Sequence, residues 1–419
     1  MLKRFLTLHS FSLFFYSTFL LGLFLIKEFK IISNLSLLAL FLIAIYYLIQ
    51  NFKSIRLSNL FPWICFSVPL ILHMIHYSYI CDYRNKEYYF ETLLLKVSFF
   101  ILPFCIMLLR PIKKDHFLKI LYLFFIVCTL YTVGALISYT INFQDINQSY
   151  LHSKLIPMPI NHIRFSLMVV TAISIGFYLL KQGYSLKYKF EKKLIISFTF
   201  ILILFLHIHS VRIGLLSFYF IIILFGSSYL IKKNKIKLLC MSLLFILSTP
   251  IISYFLIPTF HNKIINTKND LQSICSEKSA NQYSLAGRLV SYKVSYSLLK
   301  ESPFFGVGIG NLKQKVADRY HRDYPQIEEE MIKLPHNEFL RFATSFGLIG
   351  LILFLTSFYY PLFYQKNYQN TFLLIQYIIV SLSFLVEDTL HTIHGLYFSL
   401  GFILLPLYYL RKNNKYNQA

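Results

Sequence analysis

The chain has 419 residues, of which 56% are hydrophobic and only 14% charged, and its formal net charge is +23. A soluble domain carries about 25% charged residues, so a soluble globular enzyme is excluded. Apolar runs long enough to cross a bilayer recur along the whole chain, and the basic balance has to be explained within a polytopic membrane protein before nucleic acid is considered.

The first run, Phe11 to Ile26, follows Lys3 and Arg4 and is not followed by a small-residue cleavage site, so it reads as a retained helix and not a signal peptide. Twelve spans are predicted, at about 10–26, 31–49, 60–79, 93–109, 118–141, 163–180, 194–211, 213–231, 237–257, 338–363, 370–386 and 392–410, the seventh and eighth parting at His209-Ser-Val-Arg212. An even count puts both termini on one side. If that side is the cytoplasm, twenty Lys and Arg residues lie there, including Lys187, Lys192, Lys193, Lys232, Lys233, Lys235 and Lys237. The short loops opposite hold only Lys27, Lys30, Arg84, Lys86, Lys154 and Arg212. This is the positive-inside bias. It makes the charge a basic face on anionic lipid and leaves no need for a nucleic-acid partner.

The expected architecture is therefore an all-α polytopic membrane protein of about 12 transmembrane helices with one large extracytoplasmic loop between helices nine and ten. Residues 1–257 hold the first nine helices, 258–337 the loop, and 338–419 the last three helices and a cytoplasmic tail. Cys65, Cys105, Cys128 and Cys240 fall in spans as small hydrophobes. Cys81 and Cys275 both fall on the outer side, where a disulfide could persist.

Within the loop, Leu285, Leu289, Tyr292, Tyr296 and Leu299 recur at alternating steps of four and three. That spacing predicts an amphipathic helix over 284–300, lying on the membrane or capping the bundle. Glu301-Ser-Pro303 ends it, and Arg288 lies beside the stripe. Gly306-Val-Gly-Ile-Gly310 has the wrong spacing and setting for a dinucleotide site. It reads as a tight turn with close backbone packing, or less simply as an anion-holding nest. Glu328-Glu329-Glu330 reads as a solvated helix face.

Three arginines, Arg164, Arg212 and Arg288, stand at span ends or in the loop helix without an obvious acidic neighbour. Snorkelling to outer phosphates explains each singly. Together with His336 at the mouth of the tenth span they suggest a site. Arginine offers a fixed fork of donors to phosphate oxygens, and an imidazole can accept a proton from a hydroxyl. That pair of tools suits displacement of a diphosphate by a hydroxyl. Asn337 is placed to cap the tenth span and fix His336 outside its first turn. Gly347 and Gly350, three apart, would allow close helix packing.

His336-Asn337 followed by Gly347-Leu-Ile-Gly350 resembles the His-Asn…Gly-x-x-Gly motif of the O-antigen ligase and polymerase superfamily. Arg212-Ile-Gly-Leu-Leu216 resembles its Arg-x-x-x-Leu motif, and the stretch Gly287 to Gln314, with Arg288 and the Gly-Val-Gly turn, resembles the opening of its large periplasmic loop. The resemblance implies a metal-independent, inverting glycosyltransferase of the GT-C type that needs no cofactor. Its donor would be an undecaprenyl-diphosphate-linked glycan, its acceptor a sugar of lipid A core, and its surroundings the lipids of a bacterial inner membrane with the site on the periplasmic side. His336 would be the catalytic base. Arg212 and Arg288 would bind the diphosphate; Arg164, by its place at a span end, and Asn337, as the cap beside His336, are candidate substrate-binding residues on position alone.

Glu387-Asp-Thr-Leu-His-Thr-Ile-His394 would, if helical, bring Glu387, His391 and His394 to one face. Polar lining of a cavity is the plainer reading; a contact from Glu387 or Asp388 to the acceptor sugar, or a metal site shared with His207 and His209, are the others, and no metal is expected. Outer tyrosines such as Tyr292 and Tyr296 could stack on sugars. Ligation to lipid A core competes with polymerisation of lipid-linked repeats, with transfer to protein hydroxyls, and with a glycolipid transporter. The polar residues gather at one face without internal repeats, which disfavours the transporter.

Overall fold

The computed structural model describes residues 2–25, 30–51, 61–79, 85–188, 190–272 and 284–411. Cys81 and Cys275, and the expected topology markers Lys27, Lys53, Arg56, Arg84, Lys189, Lys412 and Lys415, lie outside them. Helix accounts for 84% and no strand occurs among the described residues. The helices are α1 (Leu8–Phe24), α2 (Ile31–Asn51), α3 (Pro62–Ile75), α4 (Lys86–Leu108), α5 (Lys114–Ile141), α6 (Phe143–Leu151), α7 (His162–Lys181), α8 (Glu191–His209), α9 (Arg212–Lys232), α10 (Ile236–Leu256), α11 (Pro258–Gln272), α12 (Ser284–Glu301), α13 (Leu312–Asp323), α14 (Glu338–Phe363), α15 (Thr371–Phe384) and α16 (Ile393–Leu410). Nine apolar helices among the described residues are long enough to cross a membrane: α2, α4, α5, α7, α8, α9, α10, the stretch begun by α14, and α16. The other three expected spans coincide with shorter apolar helices, α1, α3 and α15. The chain is a multi-pass membrane protein.

Two compact units emerge. One comprises residues 1–114, 270–374 and 383–419, the other 115–269 and 375–382. In the second unit Asn161 caps α7, its side chain accepting from the Ile163 and Arg164 amides at 3.0 and 3.4 Å. Ser210, in the left-handed region at φ 53°, separates α8 from α9 where the sequence placed the break. Gly214 of α9 lies against Ser166 of α7, so close that an added Cβ would sit 2.7 Å from that of Ser166.

In the first unit α12 runs over Ser284–Glu301, but the face it buries differs from the expected one. Ala286, Val290, Ser291, Val294, Ser295 and Leu298 are buried, whereas Tyr296 is 56% exposed and Leu285, Leu289, Tyr292 and Leu299 are only partly covered. Small side chains let α12 lie close to α14, where Thr344 Oγ1 donates to the Ser295 carbonyl at 3.4 Å and to Leu340 O at 2.8 Å. Large residues count for hydrophobic periodicity; small ones decide which backbones can approach.

Gly347 is not a packing glycine. It breaks α14 at φ 71°, ψ −175°, a region essentially reserved for glycine. In an unbroken helix the amides of 348 and 349 would bond the carbonyls of 344 and 345. Here the turn after α12 takes all four groups. Leu348 N–H donates to Pro303 O (2.8 Å), Ile349 N–H to Phe304 O (3.3 Å), Val307 N–H to Thr344 O (2.9 Å) and Gly308 N–H to Ser345 O (3.0 Å). Gly306, also at φ 71°, makes the fit possible, because a Cβ there would sit 2.5 Å from the Ser345 carbonyl carbon. The Gly-rich segment is thus a tight turn as expected, but its 307 and 308 amides are spent on α14, so the nest reading is withdrawn.

Candidate active site

The site grows from the N-terminus of α14. Asn337 caps it, accepting from the Leu340 amide at 2.9 Å through Oδ1, while its Nδ2 donates to Leu385 O at 3.1 Å. His336 stands one residue outside the helix, its own carbonyl held by Tyr292 Oη at 2.8 Å. The imidazole is therefore anchored from both sides of its backbone.

The turn that follows α15 faces it. His336 Nδ1 lies 3.7 Å from Glu387 Oε2 and 3.8 Å from Asp388 Oδ1. The nitrogen is buried and lacks a hydrogen-bond partner, although the His336 side chain as a whole is 31% exposed. Each carboxylate is held from behind. Arg288 Nη2 donates to Glu387 Oε1 at 3.1 Å, and Arg341 donates to Asp388 while its Nη2 donates to Tyr88 Oη at 3.0 Å. The structure brings Arg288, His336, Asn337, Glu387 and Asp388 together, and it gives Arg288 an acidic partner, Glu387, that the sequence did not show.

A buried layer beneath holds this turn in place. Glu338, 0% exposed, accepts the Leu390 amide at 2.9 Å, and Lys96, also 0% exposed, donates to the Leu390 carbonyl at 2.7 Å. Two basic side chains, Lys96 and Arg341, thus meet two acidic ones, Glu338 and Asp388, in a buried setting where an unmatched charge would be costly. His391 Nε2 lies 3.3 Å from Glu338 Oε1 without hydrogen-bond geometry. Burial, reinforced by Arg341, Lys96 and His73, drives the His391 pKa well below the usual imidazole range, so this ring is neutral. Lys333, three residues before His336, is partly buried; burial, and then the nearby Arg288 charge, lower its pKa. It adds a second cation beside Arg288. Burial likewise raises the Tyr292 phenol.

Sequence reasoning missed Lys96, Glu338, Arg341 and Lys333. The first three carry charge inside apolar runs, which is itself the signal of a buried partner.

The segment from Glu387 to His394 does not form one helical face. It is a turn, a 3-10 stretch at Thr389–His391, and then α16. His391 lies on Glu338, and His394 Nε2 donates to Leu23 O at 2.8 Å, so Glu387, His391 and His394 do not share one face. A different set does come together: His336, Glu387 and Asp388 place one ligand-type atom each within 4.8 Å of one another. A guanidinium already faces each carboxylate, however, and two fixed cations oppose a third.

Arg164 and Arg212 belong to the second unit. Arg164 is partly buried in the first turn of α7 and Arg212 is exposed in the first turn of α9. Ser166 and Gly214, each two residues further on, are in contact, so the two arginines stand at the same end of one helix pair. There His162 and His209 bring their rings to 5.4 Å.

Residues 197–355 match the family described as O-antigen ligase. No individual curated protein matches the chain.

Proposed function

We propose, from the match of residues 197–355 to the family described as O-antigen ligase, that the protein is a member of that superfamily and transfers a glycan from undecaprenyl diphosphate to a hydroxyl of lipid A core by a single, inverting, metal-independent displacement on the periplasmic side of the inner membrane. The observation that carries the reading is the His336 imidazole, with Nδ1 turned towards two carboxylates that Arg288 and Arg341 hold from behind.

This geometry divides the two ring nitrogens. A proton on Nδ1 is favoured by the facing carboxylates, which leaves Nε2 with its lone pair for the acceptor hydroxyl. As the acceptor oxygen bonds to the anomeric carbon, its proton moves to Nε2. The bond from that carbon to the diphosphate breaks, and its electron pair leaves on the diphosphate oxygen. The imidazolium formed then faces Glu387 and Asp388. A positioned base of this kind contributes roughly 10²- to 10⁴-fold. Arg288, tethered to Glu387, and Lys333 supply positive charge for the leaving diphosphate. The resemblance assigns Arg212 to the same task.

The test is purified protein in proteoliposomes with an undecaprenyl-diphosphate oligosaccharide, lipid A core and a chelator, without nucleotide, resolved on a gel. Glycan shifted onto the core, and lost in His336→Ala while the variant stays folded and binds donor, is the expected result. A ladder of longer lipid-linked chains that ignores the core would make the enzyme a polymerase. Transfer that the chelator abolishes and a divalent cation restores would turn His336, Glu387 and Asp388 into a metal centre.

A further inference from the structure

The turn that fills the break in α14 has a second feature that catalysis does not explain. Phe304 and Phe305 stand at its tip, 62% and 56% exposed. Their position relative to α14 is fixed, because the carbonyls of Pro303 and Phe304 accept the amides of Leu348 and Ile349. From Arg341 to Gly347 every residue of α14 is buried. Immediately past the break, Leu348, Ile349, Ile352 and Leu353 emerge as an exposed apolar stripe. The break therefore marks the level at which this membrane helix begins to face lipid. From Leu348 to Phe363 the helix rises about 24 Å at about 1.5 Å per residue, most of the roughly 30 Å hydrocarbon core.

The neighbouring face of α12 has the composition of a membrane interface. Lys293, Tyr296 and Lys300, at steps of three and four, are exposed along it, with Glu301 exposed at its end and paired with Arg319, and Lys300 Nζ lies 4.7 Å from the centre of the Tyr296 ring. Basic and aromatic side chains at that level match the headgroup layer, and two adjacent phenylalanines match the acyl boundary below it. We propose that the 303–306 turn anchors the extramembrane segment in the bilayer, with Phe304 and Phe305 among the acyl chains of the leaflet on its side and Lys293 and Lys300 among the headgroups. The occupant is bulk membrane lipid, since the two phenylalanines continue the lipid-facing stripe of α14. This inference rests on the membrane-spanning helix and is independent of the reaction proposed above, so the experiment below can fail without touching that reading.

The chain has a single tryptophan, Trp63, whose emission sets the background. Phe304→Trp and Phe305→Trp, each made separately, are placed in phosphatidylcholine vesicles with and without bromines on the acyl chains. Loss of most of the added emission in brominated lipid is expected, against little loss for Lys315→Trp on the exposed polar face of α13. Where a Trp variant does not fold, Phe305→Cys carrying a nitroxide reports the same boundary through its accessibility to oxygen over a water-soluble nickel complex. Quenching or oxygen accessibility no greater than at residue 315 would overturn the anchor. So would quenching that a polyprenyl phosphate relieves, because the turn would then be a seat for the lipid donor and not for the bilayer.

Discussion

Gly347→Ala tests the clasp between α14 and the turn that follows α12. The native conformation lies in a region that costs a residue with a side chain about 1–3 kcal/mol. The added Cβ would also sit 2.1 Å from the Phe304 carbonyl, so the strain cannot be relieved without moving the turn. If α14 straightens, it regains two helical hydrogen bonds and loses the four made by the turn. At about 0.5–1.5 kcal/mol each, the net loss is about 1–3 kcal/mol. Straightening removes the strain, so the two costs are alternatives, and the destabilisation expected in thermal unfolding in nanodiscs is about 1–3 kcal/mol, with new protease cleavage at 302–308. Gly306→Ala should do the same, since its Cβ would strike the Ser345 carbonyl carbon at 2.5 Å. Both changes release one clasp, so the double variant should be little worse than either single one. Gly134→Ala, where nothing lies within 4 Å, should be neutral or mildly stabilising. An unchanged melting temperature in Gly347→Ala, or full additivity with Gly306→Ala, would refute the clasp.

Arg341→Leu should destabilise the fold by about 3–5 kcal/mol, because it leaves the Asp388 carboxylate without its buried partner, whereas Arg341→Lys should recover stability better than turnover; equal recovery of both, measured by unfolding and by gel assay, would reduce Arg341 to a structural brace. Arg212→Lys should cripple transfer while leaving the protein folded, because a point charge replaces a fork; full activity would make Arg212 an anchor to lipid phosphates. The buried His391 makes stability depend on pH. Its folded pKa lies below the unfolded value of about 6.5, so the unfolded chain binds the proton more readily; stability is complete above about pH 6.5 and falls as the pH drops towards the folded value. Melting curves at pH 7.5 and 5.5 should show the loss, and His391→Gln should flatten it.

The membrane character of the chain and the capping of α14 were legible because hydropathy and capping are local. So was the break at Ser210, whereas the motif spacing marks His336 and Arg288 but not the carboxylates they face. The small-residue face of α12 escaped because its apolar pattern is dominated by Leu and Tyr, whereas burial follows the shape of α14. Two glycines three apart look alike as packing residues and as a helix break, and for Gly347 only its partner turn, some forty residues earlier in the chain, shows which applies. Glu338 and Arg341 were absorbed into an apolar span, and their meaning depends on Lys96 and Asp388, far away in sequence.

That distance bears on how the protein is made. Lys96 lies near the middle of α4, and the carbonyl that receives its ammonium is 294 residues further on. At about 5–20 residues per second, roughly 15–60 s of synthesis separate the two. Over that interval α4 carries a lysine that costs about 2.5–3.5 kcal/mol to leave in lipid at a helix centre. The early helices therefore remain provisional residents of the bilayer, sheltered at the insertion machinery or by one another, until the Leu390 turn arrives. Chains that stop before this turn should be cleared by membrane proteases, even though every helix they contain is complete.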